Sequence, residues 1–255
     1  MTFTDTHTHL YYERDTQKRR ELMQRCFDNS IGRLFLPNVD VESIEMIHEL
    51  VTEYPDNCFA MLGLHPCDVK QGFEQQLNII KESVSIVKPY AIGEIGIDLH
   101  WDKSTFQIQQ QAFLDQIQWA KKLKLPIVIH CRESFEEVYE ILVSEKDESL
   151  RGIFHCFSGT KQQADLITDM GFYLGIGGVV TYKNSGLAEV VEHLDLKNIV
   201  LETDSPYLTP VPFRGKPNES SYLLYIAEKI ANIKKLNVEE VAAITTENSK
   251  IIFGV

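Results

Sequence analysis

The sequence predicts an α/β fold, a (β/α)8 TIM barrel, and three observations lead to this prediction. Short apolar runs alternate with amphipathic helical segments from one end of the chain to the other, as in parallel strands linked by helices. Eight such runs are present, which is many for the alternative, a doubly wound open sheet. The chain has 255 residues, a usual length for one barrel. We therefore expect residues 1–255 to form a single domain.

The apolar runs define the predicted strands, and the segments between them define the helices. The strands are expected at residues 3–7, 32–36, 59–64, 91–95, 127–130, 152–157, 172–176 and 199–203. Helices are expected at residues 16–28, 41–53, 106–123, 135–143, 162–170, 220–233 and 238–252. In segment 106–123, Phe106, Phe113, Ile117 and Ala120 recur at close to helical spacing. Pro126 suits the start of the strand that follows it.

Composition and charge narrow the class of protein. No apolar run reaches the length of a membrane span, and no secretory signal opens the chain. The five scattered cysteines form no CxxC pair, which predicts reduced thiols in a cytoplasmic protein. The net charge of −12 argues against a broad basic face for long duplex nucleic acid. A small site that holds one or two phosphates with the help of a metal remains compatible with that charge.

Polar side chains that can bind a metal fall at the predicted carboxyl ends of the strands. They are His7, His9, His65, Glu94, His130, His155 and Asp204. Side chains alternate along a strand, so the imidazoles of His7 and His9 point the same way. In a barrel the strand ends converge on one mouth, and imidazoles with carboxylates suit zinc, manganese and similar ions. The pattern therefore predicts a metal site, with Glu202 expected to position a ligand rather than bind the ion.

Several sequence blocks resemble one family, in order along the chain. They are DTHTHL, GLHP, GEIGID, the helix QxxxFxxQI followed by LPIVIHCR, then FHCFSGT and LETDSPYLTPVPFRGKPNE. Together, from residue 5 to about residue 222, they resemble the TatD-type metal-dependent deoxyribonucleases of the amidohydrolase-like barrel superfamily. The chain departs from the usual pattern at Cys67 and at Leu99-His100-Trp101, which affects how a substrate is held rather than the ligands.

The resemblance implies a barrel with two divalent metal ions. Carried over by motif, the metal ligands are His7, His9, Glu94, His130, His155 and Asp204. Glu94 would bridge the two metals. The residues leave the identity of the ions open among magnesium, manganese and zinc, although magnesium is the least suited to four imidazoles.

The expected reaction is hydrolysis of a DNA phosphodiester by a metal-activated water. Asp204 and Glu94 are the expected catalytic residues, with Asp204 orienting the water and accepting its proton. His65, Arg132 and Arg214 are the expected substrate-binding residues, because cations and donors near the metals would neutralise the phosphate. Arg132 lies two residues after His130 in the predicted strand, so both side chains face the same way. The alternative to substrate binding by Arg132 is an ion pair with Glu133 or Glu136. Arg214 lies in the loop after strand eight.

The negative net charge predicts a 3′–5′ exonuclease that acts on DNA ends, on short single-stranded DNA or on RNA. No membrane or protein partner is evident from the sequence. Two alternatives stay open. The first is a metal-dependent ester or amide hydrolase, for example an aminoacyl-RNA deacylase. The second is a barrel that binds metal and nucleic acid without turnover.

Overall fold

Eight parallel strands form the centre of the protein. The computed structural model describes residues 2–255. The strands are β1 (Phe3–Asp5), β2 (Ile31–Leu36), β3 (Cys58–Ala60), β4 (Ile92–Asp98), β5 (Ile127–Arg132), β6 (Gly152–Phe154), β7 (Tyr173–Ile176) and β8 (Ile199–Leu201). They pair in the order β1-β2-β3 and β4-β5-β6-β7-β8, always parallel.

Residues beyond the strand ends join these two sheets into a ring. A parallel bridge between Leu62 and Ile92 connects β3 to β4, and a parallel bridge between Thr8 and Ser205 connects β8 to β1. Backbone hydrogen bonds from Thr6 to Leu201 and from Asp204 to His7 extend the second seam. The predicted barrel is confirmed.

Helices surround the ring and follow the strands in sequence. They are α1 (Thr16–Asp28), α2 (Ser43–Glu53), α3 (Phe73–Glu82), α4 (Phe106–Leu123), α5 (Phe135–Ser144), α6 (Lys161–Asp169), α7 (Leu187–His193), α8 (Leu223–Lys234) and α9 (Val238–Phe253). In α4, the buried face carries Ala112, Phe113, Ile117 and Ala120, as its helical spacing requires. Within residues 2–255, no helix combines the length and the apolarity needed to cross a membrane.

The buried apolar side chains form two clusters, and the smaller cluster marks the end of the barrel that lies opposite the candidate site. The larger cluster lies between the strands and the helices. The smaller one gathers side chains such as Phe35, Val128 and Val200 from successive strands, and Phe253 of α9 stacks on Phe35 at 3.8 Å. The end of the last helix therefore packs against the strands' interior cluster, and the polar residues collect at the opposite, carboxyl-terminal mouth.

The strand boundaries differ from the sequence expectation in a way that matters for the site. β4 continues to Asp98, so Glu94 lies inside this strand rather than at its end. β6 stops at Phe154 because the chain turns at Cys156, whose φ is +49°. β8 stops at Leu201, and the turn follows at Asp204, whose φ is +55°. These two turns change the direction of the backbone next to His155 and at Asp204.

Candidate metal centre

A single buried carboxylate, Glu94, lies at the centre of the mouth. Its oxygen Oε1 is 2.7 Å from His130 Nδ1, 3.2 Å from His155 Nε2 and 3.3 Å from His65 Nε2. Only 3% of the Glu94 side chain is exposed, so water does not replace these contacts. One oxygen of Glu94 thus faces three imidazoles contributed by three different strand ends.

The other oxygen of Glu94 faces the residues of the first strand. Oε2 is 3.2 Å from His7 Nε2 and 3.9 Å from His9 Nε2. Asp204 adds a second carboxylate on this side, with Oδ1 3.5 Å from His9 Nε2 and 3.8 Å from His7 Nε2. The structure therefore places two groups of imidazoles on the two sides of one carboxylate.

The pairing of the first and eighth strands fixes His7 relative to Asp204. Asp5 is fully buried, and its carboxylate accepts hydrogen bonds from Thr203 N at 2.9 Å and Thr203 Oγ1 at 2.6 Å. The same carboxylate accepts from His7 N at 3.3 Å. Burial raises the pKa of Asp5 to about 7, against the hydrogen bonds that lower it. Asp5 thereby holds the segment of His7 and the segment of Asp204 together.

Two glycines provide the space that this packing requires. At Gly96, whose φ is +145°, an added Cβ would lie 2.0 Å from the carbonyl oxygen of His130. At Gly175, an added Cβ would lie 2.1 Å from Glu202 Oε2. Side chains at these positions would displace His130 or Glu202, which explains glycine in both strands.

Buried carboxylates hold two of the imidazoles through their far nitrogens. Asp98 Oδ2 lies 2.8 Å from His130 Nε2, and Glu202 Oε1 lies 3.2 Å from His155 Nδ1. An ionised carboxylate only accepts, so the proton of each ring resides on that nitrogen. When a divalent ion binds, each ring would be neutral and keep this proton, and the nitrogen on the side of Glu94 would offer its lone pair to the ion. This is the arrangement of metal-binding histidines in proteins.

A tyrosine sets the proton of His9 in the same way. The hydroxyl of Tyr11 donates to the carbonyl oxygen of Pro37 at 2.6 Å, and its oxygen is 2.7 Å from His9 Nδ1. Since the hydroxyl has already donated its only hydrogen, Nδ1 of His9 must be the donor to Tyr11. In the neutral ring, His9 Nε2 on the side of Asp204 would then offer its lone pair to a bound ion.

His65 has the opposite arrangement. The backbone N–H of Cys67 donates to His65 Nδ1 at 3.1 Å, so the lone pair of Nδ1 is used. The neutral ring therefore carries its proton on Nε2, which points at Glu94 and His130. His65 presents a hydrogen-bond donor to the centre, whereas the nitrogens of His9, His130 and His155 on that side would offer lone pairs to a bound ion.

The electrostatics of the cluster favour cation binding. Burial opposes ionisation of Glu94, yet His155, His65 and His7 hold its pKa well below the usual range. Burial likewise opposes protonation of His155, but Glu94 and Glu202 raise its pKa well above the usual value. Burial and His155 lower the pKa of His7. The carboxylates are therefore ionised and demand positive charge from their surroundings.

The donor set fits a divalent metal. Both ring nitrogens of His7 are buried and lack a hydrogen-bond partner within the described chain, which is costly unless an ion binds there. Potential ligand atoms lie within 4.8 Å of one another in three groups, which are His7, His155 and Asp204; His7, His9 and Glu94; and His65, Glu94 and His130. Because Nε2 of His65 carries a proton, we assign this residue as a donor rather than a ligand.

The two predicted substrate-binding arginines lie over aromatic rings. The guanidinium of Arg132 is 5.4 Å from the ring centre of Trp101, while Glu133 binds His100 at 2.6 Å instead. The guanidinium of Arg214 is 4.0 Å from the ring centre of Tyr182. Arg214 borders a cavity of about 430 Å³, lined by Tyr182, Lys183, Asn184, Ser185 and Val211.

Sequence reasoning named Glu202, which contacts His155, as a positioning residue, but it missed three other residues that orient the site. Asp98, Tyr11 and Asp5 are buried and contact predicted site residues. Asp5 alternates with His7 along the chain, and Asp98 lies four residues beyond Glu94 in GEIGID, so strand alternation was the available signal. Tyr11 offered no such signal, because its role depends on the carbonyl of Pro37.

Known proteins are similar to this chain along nearly its whole length. The sequence model of the family described as TatD related DNase matches residues 4–254. The chain is 43% identical over 252 residues to the metal-dependent hydrolase YabD of Bacillus subtilis strain 168, covering 98% of each protein. It is 32% identical over 243 residues to the 3′–5′ ssDNA/RNA exonuclease TatD of Salmonella typhimurium, covering 93% of each.

A solved structure agrees with these matches. The crystal structure of YjjV, a TatD homologue from Escherichia coli K12, has a TM-score of 0.92 at 27% identity and covers 99% of this chain and 98% of that one. The barrel, the cluster around Glu94 and these relatives define the class of protein, a metal-dependent hydrolase. Within that class, the chain belongs to the TatD family.

Proposed function

We propose that this protein hydrolyses phosphodiester bonds at the 3′ ends of single-stranded DNA, using two divalent metal ions. The observation that carries the proposal is the position of Glu94, whose two oxygens face two separate groups of imidazoles. A carboxylate in that position suits a bridge between two cations, and paired cations are the usual means of hydrolysing phosphodiesters.

The residues that would hold the ions divide into two sets around Glu94. His7, His9 and Asp204 lie on the side of Oε2, and His130 and His155 lie on the side of Oε1. When bound, the ions supply Lewis-acid activation of water and neutralise charge on the phosphate. Imidazole with carboxylate oxygen suits zinc or manganese better than magnesium.

Asp204 would accept the proton of the attacking water. Its Oδ1 faces His9 and His7, and either carboxylate oxygen could receive a proton. Burial opposes ionisation, but His9, His155 and His7 lower the pKa of Asp204, so the carboxylate is ready as a base. The positive φ of Asp204 turns the chain and directs this side chain into the mouth.

His65 would stabilise the phosphate in the transition state. Its Nε2–H points into the centre, and 15% of its side chain is exposed, compared with 0% for His7. A donor at the open side of the cluster can reach a non-bridging phosphate oxygen as its negative charge increases. This assignment gives His65 a role that does not include binding the metal.

The preference for single-stranded ends rests on charge. Long duplex binding requires many cationic contacts along the backbone, and a chain with a net charge of −12 offers few. The similar protein from Salmonella typhimurium is named as a 3′–5′ exonuclease of single-stranded DNA and RNA, which supports the proposal that this chain degrades single strands from their 3′ ends.

The roles of His65 lead to a testable difference between two substitutions. We expect His65→Ala to lower kcat by roughly 10²- to 10³-fold, because one donor to the developing oxyanion is lost. His65→Gln retains an N–H donor and should recover part of that loss. Metal content should be unchanged in both variants, measured by elemental analysis after gel filtration.

The matched control for these variants is His193→Ala, since His193 pairs with Asp165 at the surface. If metal content instead falls together with activity in His65→Ala, then His65 is a ligand and the proton assignment is wrong.

The function itself is tested with chelator-stripped protein and labelled oligonucleotides. Mg²⁺, Mn²⁺ or Zn²⁺ is added in turn to single-stranded DNA carrying phosphorothioate linkages at either the 3′ or the 5′ end. We expect metal-restored cleavage that a 3′ block stops and a 5′ block does not. Cleavage that is stronger on the interior of duplex DNA would overturn the proposal. A metal-binding protein that cleaves no phosphodiester with any ion would transfer the assignment to ester or amide substrates.

A further inference from the structure

The mouth of the barrel carries a large exposed aromatic ring, that of Trp101, beside the metal cluster. The side chain of Trp101 is 70% exposed, the highest value among the large hydrophobic residues of the described chain. Its position is nevertheless fixed, because the backbone N–H groups of Trp101 and His100 donate to Asp98 Oδ1 at 3.1 and 2.9 Å. The other oxygen of Asp98 binds His130, which contacts Glu94. A single side chain, that of Asp98, thus connects Trp101 to the cluster.

A cation accompanies this ring. Arg132 lies two residues after His130 in β5, and its guanidinium is 5.4 Å from the centre of the Trp101 ring. Asp98 and Arg132 are register partners, so the turn and the arginine are held by adjacent strands. Arg132 is an exposed residue, so its positive charge is accessible to a ligand that contacts the Trp101 ring.

More aromatic residues lie on the opposite side of the mouth. Tyr207 follows β8, is 53% exposed and has its ring centre 5.9 Å from that of His9. Tyr12 follows β1, and its ring stacks on His9 at 5.4 Å. In an eight-stranded ring, β4 and β5 lie across from β8 and β1. The cluster around Glu94 therefore lies between Trp101 with Arg132 on one side and Tyr12 with Tyr207 on the other.

We propose that Trp101, backed by Arg132, is a stacking subsite for one unpaired base of the substrate strand. A tryptophan face with a nearby guanidinium and an adjacent phosphate-binding centre is the combination used for single-stranded nucleic acid. A base within a duplex is already stacked and paired, so it cannot occupy this ring without being extruded. The subsite thereby supplies the preference for single strands in the proposed function, on which this inference rests.

The subsite is tested by combining a protein variant with a substrate variant. Oligonucleotides of one sequence are prepared with a single abasic nucleotide moved step by step from the 3′ end. At one position, loss of the base should raise the KM of the wild type roughly 5- to 100-fold, which corresponds to one stacked base. Trp101→Ala should raise KM by the same factor on the intact strand and show no further penalty at that position.

Two comparisons separate stacking from a structural role. Trp101→Phe keeps an aromatic face, so its KM should be close to that of the wild type. Trp101→Ala should raise KM but leave kcat and metal content unchanged. The side chain of Trp101 is exposed, and its anchoring N–H belongs to the backbone, so Trp101→Ala keeps the turn. If the abasic and Trp101→Ala penalties multiply at every position, or if Trp101→Ala cleaves like the wild type, the inference is wrong and the nuclease assignment stands.

Fluorescence gives an answer even if no strand is cleaved. The chain has two tryptophans, and Trp119 is 9% exposed within α4. A Trp119→Phe variant therefore reports on Trp101 alone. Titration with oligothymidylate, in a protein that also carries Asp204→Asn, should quench this emission to saturation. Unchanged emission would refute the subsite. Quenching in this variant, together with no cleavage by the wild-type protein with any of the added ions, would support the subsite and refute the nuclease assignment.

Discussion

Glu94→Gln is expected to remove most of the bound metal and to lower hydrolysis by at least roughly 10³-fold, since paired cations contribute several kcal/mol to the transition state. Both oxygens of Glu94 face imidazole nitrogens, at 2.7 to 3.3 Å for Oε1 and from 3.2 Å for Oε2. Glutamine keeps the shape but carries no charge and only one accepting oxygen, so one of the two groups of imidazoles would no longer face an anionic oxygen. Metal content by elemental analysis and turnover on single-stranded DNA measure the two effects.

The matched control is Glu133→Gln, which removes a carboxylate paired with His100 at the exposed rim. This control should retain its metal and most of its activity. Circular dichroism of both variants checks the fold. A Glu94→Gln protein that binds the same amount of metal as the wild type would disprove the bridging role of Glu94.

Asp204→Asn is expected to lower kcat by roughly 10²- to 10⁴-fold at saturating metal, because the group that accepts the proton of water is lost. Asparagine can still offer Oδ1 to the side of His9 and His7, so the fold and much of the metal binding should persist. Single-turnover kinetics at saturating metal separate the loss of the base from any loss of affinity for the ion.

Asp165→Asn is the control for this variant, since Asp165 forms a comparable pair with His193 at the surface. If the wild type turns over substrate and Asp204→Asn does not, the hypothesis that the barrel only binds metal and nucleic acid is excluded. Undiminished turnover in Asp204→Asn would remove Asp204 from the mechanism.

The fold could be predicted because each element repeats a local pattern. Helices α1 and α4 begin and end at the predicted residues. The apolar spacing of α4 is long and regular, and Asp15 caps the first turn of α1 by accepting from the backbone N–H groups of Gln17 and Lys18. The ends of β4, β6 and β8 could not be predicted from such patterns. They depend on a register shift between Ile92 and Ile95 and on left-handed turns at Cys156 and Asp204, which neighbouring strands stabilise.

In the candidate site, too, the features that depend on local sequence could be predicted, and those that depend on distant residues could not. Placing polar residues near strand ends identified the histidines and carboxylates that the structure gathers around Glu94, and their roles remain predictions. Which nitrogen of each ring is free was not predictable, because it depends on Asp98, Tyr11 and the backbone of Cys67. Arg132 was placed by register, but its contact with Trp101 depends on a turn from another strand.

The seam between β1 and β8 determines when the centre can exist during synthesis of the chain. Asp5 and Thr203, which join the seam, are 198 residues apart in sequence. A ribosome therefore releases His7 and His9 long before it makes Asp204, and for most of translation these imidazoles have no second carboxylate to face. Closing so long a loop is slow, so the barrel brings Glu94, Asp204 and the imidazoles together only when the chain is nearly finished. An unfinished chain therefore holds His7 and His9 without the second carboxylate of the cluster.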